Sequence, residues 1–191
     1  FMREGEGDAL LGEWEPRSGN WYLHEPDLLD VAGQVKDQLS GRRVRVLKAD
    51  FSPNFYSLAG TGTPAVITAG YPFYDQYAIE AGVRVGAGEQ GVLFYVQDSG
   101  ALFGFTLAAP GENGDTLALL WSRASERSPR RILDAARVPA PAGQWVKLRA
   151  AILEERVRCE MDGARVFDRD LKLPPGGAFG LYVDSLEETR F

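Results

Sequence analysis

The segment Gln144–Phe167, QWVKLRAAILEERVRCEMDGARVF, decides the fold. In its first half Val146, Leu148, Ala150 and Ile152 alternate with Lys147, Arg149 and Ala151. In its second half Val157, Cys159 and Met161 alternate with Arg158 and Glu160. A period of two places successive side chains on opposite faces, so each half predicts a strand with one buried face and one wet face. Glu154–Arg156 is expected to turn the chain between them. Asp162–Gly163 supplies residues that tolerate positive φ, and Val166 and Phe167 resume a strand. The segment therefore predicts a three-stranded antiparallel meander.

The same alternation recurs outward from this meander. Strands are predicted at 12–16 and 19–25 around a Ser-Gly turn, and at 28–31, 43–51, 65–69, 75–86, 89–98, 101–109 and 115–124. The stretch 130–138 is ambiguous, and 176–184 with 188–191 closes the chain. Helix signals are confined to 27–39, where Asp27 offers a cap but Gly33 interrupts the pattern. Many strands separated by Gly, Pro and Asp turns predict an all-β sandwich or barrel, of which the two-sheet antiparallel β-sandwich is the expectation. Ile79, Val83, Phe94, Phe105, Leu119, Leu148 and Leu181 share the core phase and are expected between the sheets.

Composition agrees with a folded domain. The 191 residues are 45% apolar and 25% charged, with no low-complexity tract or internal repeat. Residues 1–191 are expected to form one domain, excised from a longer protein. A chain of this length buries roughly 70% of its unfolded surface and needs no disulfide or metal for stability. Cys159 is the only cysteine, so no intrachain disulfide can form, and its apolar phase marks it as a core residue. The net charge of −6 and two short basic runs, Arg42–Arg45 and Ser128–Ile132, argue against a nucleic-acid partner. No apolar run approaches the length of a membrane-spanning helix, so no membrane insertion is expected.

The order of motifs resembles a known family. GEWEPRSGNWYL (Gly12–Leu23) resembles the opening of bacterial concanavalin A-like jelly rolls. YDQYAIEAGVRV, GVLFYVQD and FGFTL resemble their central hairpins. GQWVKLRAAILEERVRCEMDGARVF and GGAFGLYV followed by TRF resemble their closing strands. The chain is thus similar to the laminin-G-like and glucanase-like sandwiches, which include 3-keto-disaccharide hydrolase-type domains. The resemblance implies a jelly roll and, for function, a non-catalytic carbohydrate-binding or surface recognition module of an extracytoplasmic bacterial protein. A glycoside-active enzyme and a structural or protein-interaction sandwich are the alternatives. Other domains of the parent protein are the further expected partners. The family also holds structural calcium, for which Asp8, Asp98 and Asp184 are the available ligands here, beside the simpler role of solvated turn residues.

Catalytic signatures are weak. Retaining glycosidases need two carboxylates about 5–5.5 Å apart, and no strand carries a Glu-x-Asp-x-x-Glu run. Glu154–Arg156 and Leu186–Thr189 lie at turns or near the chain end. His24 is the sole histidine and no Gly-x-Ser-x-Gly elbow accompanies it, so a Ser-His-Asp triad is not expected. One His and one Cys cannot build a typical zinc site. GTGTP (Gly60–Pro64) and GAGEQG (Gly86–Gly91) look like phosphate loops but lead into no helix, and read as turns. No catalytic residue, no metal ligand and no cofactor is therefore assigned. The four tryptophans, Trp14, Trp21, Trp121 and Trp145, are assigned structural roles.

A ligand surface is nonetheless predicted. If Val92, Phe94 and Val96 face the core, then Leu93, Tyr95 and Gln97 project away. The same phase on neighbouring strands presents Glu80, Arg84 and Thr106. An aromatic ring flanked by Arg, Gln and Glu suits a sugar, with the ring stacking on C–H faces and polar groups meeting hydroxyls. Tyr95 is the expected platform, with Arg84, Gln97 and Glu80 as its hydrogen-bonding neighbours.

Overall fold

The computed structural model describes residues 13–24, 57–109 and 115–191. The expected helix at 27–39, the strands at 28–31 and 43–51, and Asp8 lie outside these residues. Every regular element among the described residues is a β-strand: β1 (Glu15–His24), β2 (Ser57–Ala69), β3 (Ala78–Arg84), β4 (Glu89–Val96), β5 (Leu102–Ala108), β6 (Thr116–Arg123), β7 (Arg131–Val138), β8 (Trp145–Leu153), β9 (Arg156–Met161), β10 (Ala164–Asp170) and β11 (Ala178–Arg190). They form a seven-stranded sheet, β1-β2-β11-β4-β5-β6-β7, and a four-stranded sheet, β10-β9-β8-β3, all pairs antiparallel. This is the expected all-β sandwich.

The meander is β8, β9 and β10. Leu153 pairs with Arg156 and Met161 with Ala164, so both connections are two-residue turns. Each turn uses positive φ: Glu154 at 56° in the first, Asp162 at 51° and Gly163 at 80° in the second. Those angles match the right-handed twist of a hairpin. Asp162 adds a side-chain contact, its Oδ1 accepting the Lys147 N–H at 2.7 Å. The alternating apolar residues Val146, Leu148, Ala150, Ile152, Val157, Cys159 and Met161 all face the inter-sheet core. Burial pushes the Cys159 thiol well above its ordinary pKa and leaves it a small apolar residue.

The core between the sheets also takes Ile79 and Val83 from β3, Phe94 from β4, Phe105 and Leu107 from β5, and Leu181 and Val183 from β11. Leu148, Val83 and Phe105 are fully buried, and each such side chain contributes about 1.5–3 kcal/mol on burial. Leu119 departs from expectation. It is buried, but with Val66, Leu93, Leu102, Trp121 and Tyr182 in a second cluster. Cross-strand register puts that cluster on the other face of the seven-stranded sheet, since Leu119 lies opposite Thr106 and Trp121 opposite Gly104. β6 reads LALLW, apolar on both phases, so alternation alone does not say which phase meets the smaller sheet.

Three other differences concern continuity. The expected strands at 12–16 and 19–25 are one strand, β1, whose ladder with β2 slips at Pro16/Ser18 and Ser18/Asn20 instead of turning. GTGTP lies inside β2, not in a turn. The two closing segments are likewise one strand, β11, irregular near Ser185. The ambiguous stretch 130–138 is the edge strand β7.

Candidate functional site

The expected ligand patch does not assemble. Tyr95 is 1% exposed and belongs to the inter-sheet core, so its ring offers no free face. The cause is a β-bulge. Opposite β11, Val96 pairs with Ala178 but Leu93 with Gly180, so β4 carries one extra residue. Tyr95 takes that position with φ at 50°. The bulge turns both Phe94 and Tyr95 toward the core and moves Val96 to the second cluster. The Tyr95 hydroxyl donates to Asp75 Oδ1 at 2.6 Å, and its N–H donates to the Tyr77 hydroxyl at 2.8 Å. Burial, then the bond to Asp75, push the Tyr95 hydroxyl up to about 12. Gln97 turns its amide onto the Gly176 carbonyl.

Glu80 and Arg84 sit on β3, in the other sheet. Glu80 is exposed and pairs with Lys147 at 3.2 Å. Arg84 is half-buried and donates to the Gly143 carbonyl at 3.4 Å. As calcium ligands, Asp98 and Asp184 fit poorly together, because Asp98 follows the end of β4 whereas Asp184 lies opposite its first residue, Glu89. Among the described residues no group of three or more His, Cys, Asp or Glu gathers at metal distance.

A different constellation does converge, on the face of the seven-stranded sheet turned away from the smaller one. Register brings Glu89 (β4), Thr106 (β5), Trp121 (β6) and Tyr182 (β11) to that face. Arg130, just before β7, closes over them. Its Nη1 donates to Glu89 Oε1 at 2.6 Å and Oε2 at 2.7 Å. Thr106 Oγ1 donates to Glu89 Oε1 at 2.5 Å and accepts the Trp121 indole N–H at 3.0 Å. The guanidinium lies 5.1 Å from the Trp121 ring centroid, a cation–π contact. Tyr182 meets the same indole edge-on, at 5.3 Å and 65°.

Local sequence explains this packing. The indole lies flat across β5 because residue 104 is glycine: a Cβ there would come 2.5 Å from Trp121 Cζ2. Glu89 opens β4 with only 8% exposure, a cost that a carboxylate tolerates when it is paired and hydrogen-bonded. Burial works against the Arg130 charge, but the bonds and field of Glu89 outweigh it and hold its pKa above the ordinary value. Burial, with the negative fields of Glu89 and Asp184, pushes the Tyr182 hydroxyl up to about 12. Trp121 and Tyr182 form the floor. Arg130, one-third exposed, and Asp184, exposed, form the rim.

Two consequences are chemical. Nη1 takes both carboxylate oxygens, so Nε and Nη2 of Arg130 are left as donors with no acceptor among the described residues. Asp184 lies directly across from Glu89, so two carboxylates stand on one face even though no single strand carries both. Neither feature was visible along the chain. Glu89 and Arg130 are 41 residues apart and meet only through the β4-β5-β6-β7 order. The arginine pair at 130–131 was the one local signal.

Likeness to known structures bears on the fold. No family model matches the chain, and no curated protein sequence matches it. Among solved structures it is similar to the carbohydrate-binding module CBM66 from Bacillus subtilis, with a TM-score of 0.65 and 13% identity over 93% of this chain and 91% of that one. It is also similar to the Crh5 transglycosylase, with a TM-score of 0.53 and 12% identity over 99% of this chain and 66% of that one. A family 16 glycoside hydrolase of Bacteroides ovatus matches with a TM-score of 0.48 and 9% identity over 73% of this chain and 79% of that one. The fold is that of the concanavalin A-like jelly rolls.

Proposed function

We propose that this domain is a non-catalytic carbohydrate-binding module of an extracytoplasmic protein, and that it binds glycans at Arg130 and the face beneath it. The observation that carries the proposal is the state of Arg130. One nitrogen is locked onto a buried carboxylate, the plane rests over an indole, and two donor groups have no acceptor among the described residues. A guanidinium fixed in this way loses little freedom when it meets a sugar hydroxyl. Exposed Asp184 supplies an acceptor beside it. The likeness to a carbohydrate-binding module over nearly the full length of both chains supports the same class.

The test is a glycan array probed with the wild-type chain and with Arg130→Lys. Lysine keeps the charge but cannot hold Glu89 and a ligand in one planar geometry. Hydrogen bonds to charged groups carry enough energy that the variant should bind roughly tenfold or more weakly. An array with no bound glycan, or equal binding by the variant, removes the proposal.

A second function has one observation in its favour. Directly opposed residues of an antiparallel pair have Cβ atoms about 4.5–5.5 Å apart, near the carboxylate spacing of a retaining glycosidase. Glu89 and Asp184 are such a pair. Binding is the better supported function because Glu89 is committed to three hydrogen bonds from Arg130 and Thr106. Glycan hydrolysis that disappears in both Glu89→Gln and Asp184→Asn would establish the enzyme instead.

A further inference from the structure

The loop between β2 and β3 reads YPFYDQY (Tyr71–Tyr77). It holds the two most exposed aromatic rings among the described residues, Tyr71 at 55% and Phe73 at 72%. They are not loose. The rings stack on each other at 5.3 Å and 8°, and Tyr74 meets both edge-on at 5.6 Å. Tyr74 stacks in turn on Phe179 and leans on Tyr77, which leans on buried Tyr95. An aromatic ladder thus runs from solvent into the core.

The backbone beneath is tied as well. The Tyr74 carbonyl accepts the Gly177 N–H at 3.0 Å, and the Tyr71 carbonyl accepts the Tyr74 N–H at 3.2 Å. The Tyr77 hydroxyl donates to the Ala178 carbonyl at 3.2 Å. Gln76 and Tyr95 are both non-glycine residues at positive φ, 48° and 50°. Such conformations persist only where surrounding structure imposes them, and they gather at functional sites. Here the strain, the hydrogen bonds and the stacking all serve to hold two aromatic rings out in water.

We propose that the Tyr71–Phe73 pair is a stacking platform for the pyranose rings of a β-linked glucan, a contact site separate from Arg130. This rests on the carbohydrate-binding function proposed above. Size favours a sugar over a protein. The exposed part of the two rings amounts to roughly 250 Å², well below the about 800 Å² per partner of a stable protein interface. No other exposed large apolar residue among the described ones lies on this loop; Tyr22, Leu117, Ile132, Leu153 and Leu186 are elsewhere. The neighbours are polar, exposed Asp75 and Gln76, as hydroxyl recognition requires. β-Linked glucose, with its hydroxyls equatorial, presents flat C–H faces to such rings. The platform lies beside the Val96 end of β4, whereas Arg130 precedes β7, three strands across the sheet.

The test is calorimetric titration of the intact chain with short cello- and laminari-oligosaccharides. The double variant Tyr71→Ala/Phe73→Ala should bind about two- to tenfold more weakly per ring lost, with its melting temperature little changed. Phe73→Trp should match or exceed wild-type affinity, a readout that a folding defect in the double variant does not affect. Equal affinity of the double variant, or no binding of either oligosaccharide by wild type, overturns the platform. The array result with Arg130→Lys is independent of this outcome, so the platform can fail while the Arg130 site stands. A dimer in sedimentation that Phe73→Ala disperses assigns the rings to a second copy and also overturns it. Co-sedimentation with phosphatidylcholine vesicles assigns them to lipid, with the same consequence.

Discussion

Gln90 lies in β4 on the phase of Val92, between Val183 of β11 and Leu107 of β5. It is 0% exposed, and neither Oε1 nor Nε2 finds a hydrogen-bond partner among the described residues. An unpaired buried polar group costs about 1–3 kcal/mol, and this amide carries both an acceptor and a donor group. Methionine has similar length and flexibility, so Gln90→Met fills the same space with no polar atom to satisfy. Near-isosteric core swaps themselves cost under about 1.5 kcal/mol. The balance predicts a gain of about 2 kcal/mol. For a domain of this length that raises the melting temperature by about 4–8 °C. Urea denaturation of wild type and Gln90→Met, with unchanged m-values, measures it directly. A variant that is equally stable or less stable would refute the reasoning, and would mean that an internal water pairs the amide.

Two further effects are expected. Gly104→Ala should lose about 1–3 kcal/mol, because the new methyl collides with the Trp121 ring and loosens its bond to Thr106; a denaturation midpoint equal to wild type would remove the glycine from any role in seating the indole. Asp168 accepts from Arg156 at 2.5 Å and Arg165 at 3.2 Å, and the Arg156 bond chiefly holds its carboxyl below the ordinary range. A depressed carboxylate stabilises the fold above its unfolded pKa of about 3.9 and loses that effect as pH falls through the lower folded value. The stability difference between wild type and Asp168→Asn should therefore be constant from neutral pH to about 5 and vanish in stronger acid. A difference that grows on acidification contradicts this.

The fold was legible wherever one strand face is wet. In β8 and β9 the charged residues Lys147, Arg149, Arg158 and Glu160 mark the outer phase, so alternation identifies Leu148, Ile152, Val157 and Cys159 as core. β4, β5 and β6 are different. Leu93 and Trp121 are as buried as Phe94 and Leu120, so apolar character reports burial without direction. Leu119 was placed on the wrong face for this reason. Tyr95 failed for another: one extra residue in β4 reverses every phase after it, and nothing in LFYVQD announces a bulge at a tyrosine. The site was illegible because its members are ordinary in sequence. Glu89 and Arg130 look like solvated charges until four strands are laid side by side.

The unequal width of the two sheets explains where the unusual residues lie. At about 4.8 Å per strand, seven strands span about 29 Å and four about 14 Å. The smaller sheet therefore covers only part of the larger one's inner face, and the larger sheet carries a second buried cluster on its outer face. A surface of that kind needs no charge for stability. An apolar residue at 89 would seal it without desolvating a carboxylate, and replacement of a buried ion pair by apolar groups is often neutral or stabilising. The chain instead places Glu89 there, satisfies it with Arg130 and Thr106, and leaves two donors of the guanidinium without an acceptor among the described residues. Stability alone gives no reason for that choice, whereas presentation of a rigid donor pair to a ligand does. The consequence is measurable: Glu89→Met/Arg130→Met should be at least as stable as wild type and should lose the glycan binding that Arg130→Lys weakens. A double variant that is several kcal/mol less stable would show that the ion pair is there for the fold.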